Sequence, residues 1–182
     1  MTRPGRTETL MRQAQLIAER STCDRAHVGT VIVLDGRVVS QGYNGAPAGM
    51  PHCNHTCDCA GRSAPPFCKP GCLGVHVGDK DIDCPMTIWM DTPQHTEACS
   101  LNRPCRIAVH AEANAIAFAA RHGVATNHAY LYTTLTPCLA CAQLIINAGI
   151  ERVYMLNTYR DDSGLTLLRR SSVGIIPWSF PR

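Results

Sequence analysis

One histidine, one glutamate and two cysteines between residues 110 and 141 have the types and spacing of a hydrolytic zinc site. The stretch begins with His110-Ala111-Glu112 and ends with Pro137-Cys138-Leu139-Ala140-Cys141. Zinc takes imidazole and thiolate ligands in a tetrahedron, so His110, Cys138 and Cys141 leave a fourth position for water. Glu112 lies two residues from the histidine, where its carboxylate can face that water without binding the metal. The predicted chemistry is hydrolysis by a zinc-activated water, with Glu112 moving the protons.

Two helices are predicted to hold these four residues. The alanine-rich stretch 110–121 favours a helix, and Pro137 suits the first turn of a helix that carries residues 138–148. Cys138 and Cys141 are three residues apart, so they share a helix face, and a helix N-terminus favours the thiolate form. A structural zinc knot also fits a lone Cys-x-x-Cys pair. The nearby Glu112 and the strand–helix context favour the catalytic interpretation.

The rest of the chain predicts the elements around this site. Apolar residues at helical spacing predict a helix over 7–20, and Asp35-Gly36 predicts a hairpin turn between strands 28–34 and 38–43. Further strands are predicted over 129–134 and 152–156, and a last helix over 164–170. Strands that alternate with helices after residue 109 indicate parallel pairing beside the antiparallel hairpin. The predicted fold class is α/β, a three-layer sandwich with a mixed central sheet.

Length, charge and cysteine content limit the class of protein. The 182 residues fit a single domain, 1–182, with a Cys-rich insert at about 50–106 that is too long for an ordinary loop. A net charge of +3 does not indicate a nucleic-acid surface. Residues 1–20 contain no apolar run that suits a signal peptide or a membrane span. The 11 cysteines are odd in number and include a Cys-x-x-Cys pair, which favours metal binding in a reducing, cytoplasmic compartment. We therefore expect a cytoplasmic protein with no nucleic-acid or membrane partner.

The His-x-Glu and Pro-Cys-x-x-Cys pair is the known signature of zinc-dependent nucleobase deaminases. The resemblance extends further, and the chain is similar to the deoxycytidylate (dCMP) deaminases of the cytidine deaminase superfamily, particularly to bacteriophage forms. The segments that carry it are 23–33, 42–49, 110–116, 118–121, 133–138, 148–150 and 158–159. The resemblance implies the cytidine deaminase fold, zinc as the cofactor, and hydrolytic deamination of dCMP to dUMP for thymidylate synthesis.

The resemblance also implies roles for individual residues. Asn44 is expected to contact the nucleotide, and Tyr159 is expected to lie against the base. In the allosteric members, which are typically hexamers, dCTP with Mg²⁺ activates and dTTP inhibits. The positions implied in that regulation are Gly42, Tyr43, Asn44, Gly45 and Gly49, which help to hold the triphosphate, and Phe118 and Arg121, which transmit its presence between subunits.

Each of these roles has a structural alternative. Phe118 on an alanine-rich helix equally fits a core position, and Arg121 fits a solvated helix end that complements the dipole. Asn44, followed by glycine, fits a turn, although the flanking glycines favour close approach to phosphate. Tyr159 fits a core position with a polar tip.

The remaining cysteines predict further metal sites. The resemblance implies a second, structural zinc, for which the candidate ligands are Cys23, Cys53, Cys99 and Cys105. Four protein ligands would close that site to water and so exclude catalysis there. The other cysteines are candidates for a third zinc or are free thiols: Cys57, Cys59, Cys68, Cys72 and Cys84.

Two kinds of alternative function remain open. The same chemistry could serve another substrate, such as a modified dCMP (5-methyl-dCMP), free cytidine or adenosine in tRNA. A polynucleotide substrate predicts a basic stripe with stacking aromatics, and neither is evident in the sequence. The other alternative is a non-catalytic zinc-binding interaction protein that binds its partner through the insert. The intact Glu112 disfavours it, because a structural zinc has no use for that carboxylate.

Overall fold

The computed structural model describes residues 3–23, 26–48, 108–159 and 161–181. Within these ranges it contains five strands and four helices. In chain order they are α1 (Arg6–Ala18), β1 (Gly29–Leu34), β2 (Arg37–Tyr43), α2 (Ala111–Arg121), β3 (Tyr130–Leu135), α3 (Leu139–Asn147), β4 (Arg152–Asn157), α4 (Ser163–Arg170) and β5 (Gly174–Pro177).

The five strands form one mixed sheet in the order β2-β1-β3-β4-β5. β1 is antiparallel to β2 and to β3, whereas β4 is parallel to β3 and to β5. The predicted hairpin turn is present: Asp35 and Gly36 have φ angles of 51° and 75°, and positive φ at both positions is what a type I′ turn requires. The prediction of a mixed sheet is confirmed.

Helices cover both faces of the sheet, because successive residues of a strand point to opposite sides. Val31 and Val33 pack with α1, in a cluster that includes Met11, Ala14 and Tyr132. Ile32, between the two valines, packs on the opposite face with residues of the other three helices. That second cluster includes Ala115, Leu131, Ala142, Ile145 and Leu168. The predicted three-layer sandwich is therefore confirmed.

The sequence prediction missed one strand and placed the start of one helix wrongly. Strand β5 was not predicted, because only Ile175 and Ile176 lie between Gly174 and Pro177, and such a short edge strand has little pattern of its own. The second error concerns the start of α3: this helix begins at Leu139, so Cys138 is its N-cap and Pro137 precedes the cap.

Much of the predicted Cys-rich insert lies outside the described residues, so the single-domain organisation with an insert at about 50–106 stays a prediction. Among the helices of the described ranges, none combines the length and the apolar character that crossing a membrane would need.

Candidate active site

The N-termini of α2 and α3 meet at one place. His110 is the N-cap of α2 and Cys138 is the N-cap of α3, both with extended backbone and neither with a capping side-chain hydrogen bond. Glu112 and Cys141 lie in the first turns of the same two helices, and both are buried. Because a helix N-terminus carries partial positive charge, this arrangement favours thiolate and carboxylate groups. The two predicted helices therefore bring His110, Glu112, Cys138 and Cys141 to one place.

The three predicted ligands have the separation that zinc requires. His110 Nδ1 lies 3.4 Å from Cys138 Sγ and 3.4 Å from Cys141 Sγ. Tetrahedral zinc, with a Zn–N bond of about 2.0 Å and Zn–S bonds of about 2.3 Å, would hold nitrogen and sulfur about 3.5 Å apart. All three ligand atoms lie within 4.8 Å of one another. The donor set therefore fits zinc, with three protein ligands and one position left for another molecule.

The thiols of Cys138 and Cys141 interact with each other, and their pKa values shift in opposite directions. Hydrogen bonds to Cys141 and His110 lower the pKa of Cys138 to about 3. The same hydrogen bond to Cys138, together with burial, raises the pKa of Cys141, because Cys141 is the donor. A divalent cation in contact with both sulfurs favours the thiolate form of each, so metal binding would release the remaining proton.

Glu112 is beside the ligands and enclosed by protein. Its side chain is only 3% exposed, and its Oε2 lies 3.5 Å from Cys141 Sγ. Burial raises the pKa of this carboxyl, while its backbone hydrogen bond and the nearby His110 act in the opposite direction. A carboxyl with a raised pKa is suited to accept a proton and to return it.

Helix α2 is held closely against β2. A Cβ atom at Gly42 would overlap the carbonyl oxygen of Ala111 and lie 2.6 Å from the nitrogen of Ala115. Ser40 Oγ donates a 2.6 Å hydrogen bond to the Ala115 carbonyl. Glycine at position 42 thus allows α2, the helix that carries Glu112 in its first turn, to lie directly on the strand.

A second set of contacts fixes the chain on either side of His110. Gly45 and Val109 exchange two backbone hydrogen bonds, of 2.8 and 3.1 Å. Asn114 Nδ2 donates a 2.7 Å hydrogen bond to the Tyr43 carbonyl. The Tyr43–Gly45 segment therefore lies beside the residue that precedes His110, and the predicted role of this segment in holding a triphosphate stays a prediction.

Asn44 is buried and joins the end of β2 to the segment before β1. Its Oδ1 accepts hydrogen bonds from Val28 N (2.8 Å) and Ser21 Oγ (2.7 Å), and its Nδ2 donates one to the Ala26 carbonyl (2.7 Å). Asn44 is thus more than a turn former, because its side chain links two segments. Its contact with a nucleotide is not tested by these hydrogen bonds and stays a prediction.

The structure excludes the core-packing alternative for Phe118 and for Tyr159. Phe118 is 52% exposed on α2 and contacts the His122 ring in a tilted arrangement with 4.2 Å between ring centroids, so it does not fill the core of this chain. Tyr159 is 43% exposed, so it is not a core residue either. Arg121 is exposed in the last turn of α2, a position that fits both its predicted role and a solvated helix end.

Of the cysteines proposed for a second or third zinc, only Cys23 lies in the described residues, where it is buried. The others lie outside those residues, as does Gly49. They are Cys53, Cys57, Cys59, Cys68, Cys72, Cys84, Cys99 and Cys105.

Three supporting residues had no predicted function: Ser21, Asn114 and Thr136. Each acts through a backbone or side-chain partner that is distant in the sequence, up to 71 residues away for Asn114 and Tyr43. Such partners leave no periodic or spacing pattern. For Thr136 there was one signal, its position directly before the Pro-Cys-x-x-Cys motif.

The sandwich fold, the three zinc ligands and the buried glutamate together define a class of zinc-dependent hydrolases. Residues 4–157 match the model of a family described as the cytidine and deoxycytidylate deaminase zinc-binding region. The chain belongs to this family, as its sequence resemblance predicted.

Relatives in sequence and in structure agree with this assignment. A deoxycytidylate deaminase from enterobacteria phage T2 is 34% identical over 161 residues, covering 85% of this chain and 81% of the phage protein. One from Mycobacterium phage D29 is 36% identical over 153 residues, covering 84% of this chain and 95% of the relative. The crystal structure of a dCMP deaminase from cyanophage S-TIM5, in complex with dCMP and dUMP, has the same fold. It aligns with a TM-score of 0.66 at 23% identity, over 98% of this chain and 100% of that one.

Proposed function

We propose that this protein hydrolyses dCMP to dUMP and ammonia. The observation that carries the proposal is the enclosed Glu112 beside three zinc ligands, in a chain whose relatives at 34 and 36% identity are deoxycytidylate deaminases. A purely structural zinc site takes four protein ligands and has no need of a buried carboxyl beside them.

The residues of the chain divide the chemistry between them. His110, Cys138 and Cys141 would hold zinc, whose Lewis acidity makes a water molecule acidic enough to lose a proton near neutral pH. Glu112 accepts that proton at its carboxylate and transfers it to the ring nitrogen of the cytosine. The water oxygen adds at C4 as a hydroxyl. Glu112 then accepts the proton of that hydroxyl and transfers it to the amine, while the C4–N bond breaks and the C4 carbonyl forms. One water is consumed and one ammonia released, so the glutamate returns to its starting state.

Asn44 and Tyr159 are the residues that we propose contact the nucleotide. The Asn44 amide is oriented by its three hydrogen bonds, and the Gly45–Val109 pairing keeps its segment beside the zinc ligand His110. Tyr159 has an exposed side chain on the segment that follows β4. Asn44 is thus held beside the segment that leads to His110, and Tyr159 is held beside the turn that leads to Cys138.

A substrate panel tests this proposal and separates it from its alternatives. Zinc-loaded protein is mixed with dCMP, 5-methyl-dCMP, cytidine and dCTP, and deamination is followed by ultraviolet absorbance and by ammonia release. We expect dCMP to have the highest kcat/KM. Preference for 5-methyl-dCMP would reassign the substrate, and no turnover of any cytosine compound would favour a non-catalytic zinc protein.

We also propose that the protein is a homo-oligomer, a hexamer by analogy with the family, and that dCTP with Mg²⁺ activates it while dTTP inhibits it. The exposed Phe118 and Arg121 on α2 support an interface role. Initial rates with dCMP, measured with and without each triphosphate, test the regulation. An unchanged rate in every case would contradict it.

A second, structural zinc is the last part of the proposal, with Cys23 as one of its ligands. The burial of Cys23 agrees with this role. Elemental analysis of purified protein should then give at least two zinc ions per chain, one catalytic and one structural. A single zinc per chain would contradict it.

A further inference from the structure

Thr136 carries a buried hydroxyl that has no place in the proposed proton transfers. The residue is 4% exposed and lies two positions before the ligand Cys138. Its Oγ1 donates a 3.1 Å hydrogen bond to the carbonyl of Asn157 and lies 3.6 Å from Met155 Sδ. The same oxygen accepts a 3.2 Å hydrogen bond from the backbone N–H of Tyr159. One hydroxyl thus donates to the last residue of β4 and accepts from the segment that follows it.

Backbone contacts strengthen this connection. The Thr136 N–H donates a 3.0 Å hydrogen bond to the Asn157 carbonyl, so that carbonyl accepts from both the amide and the hydroxyl of one residue. Asn157 Nδ2 in turn donates a 3.0 Å hydrogen bond to the Thr134 carbonyl. The loop that leads to the zinc ligands and the start of the loop after β4 are therefore held together as a pair.

The start of α4 contacts the same turn from another direction. A Cβ atom at Gly164 would overlap the Pro137 carbonyl oxygen and lie 2.8 Å from the carbonyl carbon of Cys138. Tyr159 follows β4 and Gly164 lies at the start of α4. Both therefore contact the turn that carries Cys138. The Gly164 contact involves backbone atoms of the turn, whereas the hydrogen bond from Tyr159 depends on the side-chain hydroxyl of Thr136.

We propose that Thr136 is a positioning residue whose hydroxyl fixes the backbone of Tyr159 relative to Cys138 and so sets the affinity for the substrate nucleotide. The inference rests on the proposed function, in which Tyr159 contacts the base. In this role Thr136 acts through the backbone of Tyr159. Removing its hydroxyl should therefore weaken substrate binding while leaving zinc content and the chemical step unchanged.

The test compares Thr136→Val, which keeps the shape of the side chain, with Thr136→Ser, which keeps the hydroxyl. In zinc-loaded protein we expect Thr136→Val to raise KM for dCMP roughly three- to tenfold, the range for one or two lost hydrogen bonds. We expect kcat to stay within about twofold, and Thr136→Ser to behave like the wild type. Hydrogen–deuterium exchange of the peptide that covers Tyr159 should be faster in Thr136→Val. Thr136→Ala supplies a second hydroxyl-free variant if the valine protein does not fold.

Thr126→Val is the matched control, because Thr126 Oγ1 also donates to a backbone carbonyl, that of Ala148, at 2.8 Å. It should lower Tm without changing KM or the exchange at Tyr159. Equal KM values for the two valine variants, or a serine variant that resembles valine, would overturn the proposal. If the wild type does not deaminate dCMP, the proposed function fails. The exchange experiment then decides alone whether Thr136 positions Tyr159, and unchanged exchange would overturn that role.

Discussion

His110 contributes to the site through one ring atom, Nδ1, which faces the sulfurs of Cys138 and Cys141 at equal distance. The imidazole is exposed, whereas Cys141 and Glu112 are buried. The metal position is therefore at the boundary between solvent and the interior. The His110 side of this position faces solvent, while the Glu112 carboxyl is enclosed by protein on the other side.

The first prediction concerns this histidine. His110→Ala should lose the catalytic zinc, because two thiolates alone leave the tetrahedron half filled. Elemental analysis should show one fewer zinc per chain than the wild type, and dCMP turnover should be abolished. His122→Ala is the control: His122 is exposed at the other end of α2, where its ring Nδ1 pairs with the Phe118 carbonyl. Zinc content that stays at the wild-type level in His110→Ala would contradict the ligand assignment.

The candidate site residues could be predicted from the sequence because zinc ligands are of few types and occur at characteristic spacings. His110, Glu112, Cys138 and Cys141 are grouped two and three residues apart at two helix starts, and the structure confirms that the four come together. Ser21 and Thr136 could not be assigned in this way. A hydroxyl acquires its role from a partner that only the folded chain places beside it.

At the scale of the elements, the packing of α2 on β2 determines where His110 and Glu112 lie. The helix backbone lies so close to Gly42 that there is no room for a side chain. Gly29 has the same relation to α1 on the other face, where a Cβ atom would overlap the Ala14 carbonyl and lie 2.5 Å from the nitrogen of Ala18. Glycines in strands thus set the distance of two helices from the sheet.

The second prediction follows from this packing. Gly42→Ala should destabilise the protein by about 1–3 kcal/mol, because the added Cβ forces α2 away from the sheet. The free energy of unfolding from urea titrations measures the effect, and zinc affinity should fall with it. Gly5→Ala is the matched control, since no atom lies within 4 Å of a Cβ at Gly5. If both variants were as stable as the wild type, the packing role of Gly42 would be refuted.

The elements themselves were predictable where a periodic pattern is long enough. The helix of 7–20 was found as Arg6–Ala18, and the hairpin strands lie within one residue of their predicted bounds. β5 was missed because a four-residue edge strand, paired with β4 alone, needs little hydrophobic pattern. The helix of Cys138 was placed one residue early, because a proline before a helix suits both the first turn and the position before the cap.

At the scale of the whole molecule, the described surface exposes several large apolar side chains. They include Leu16, Phe118, Leu139 and Leu144, each between 42 and 62% exposed. Leu16 lies on α1, while the other three lie on α2 and α3, which cover the opposite face of the sheet. The proposed oligomer uses Phe118, so the face of α2 is the surface on which we expect a second copy.

The third prediction tests that surface. Phe118→Asp should reduce the molar mass measured by light scattering after size exclusion, because a charge buried in an interface is costly. The fold should persist, since Phe118 is exposed in the single chain and, among the described residues, its ring contacts that of His122. Leu16→Asp, on the other face of the sheet, should leave the mass unchanged. An unchanged mass in Phe118→Asp would exclude Phe118 from any interface.

Comparison of zinc-loaded wild type with Glu112→Gln, at equal zinc content, tests the proposed deamination most directly. The amide has nearly the same shape as the carboxyl, yet it cannot accept and return a proton. The measured quantity is the rate at which dCMP is converted to dUMP with release of ammonia. We predict rapid conversion by the wild type and a loss of kcat of about 10²–10⁴-fold in Glu112→Gln, the usual contribution of a general acid–base. Equal rates in the two proteins, or no conversion by the wild type, would contradict the proposed mechanism.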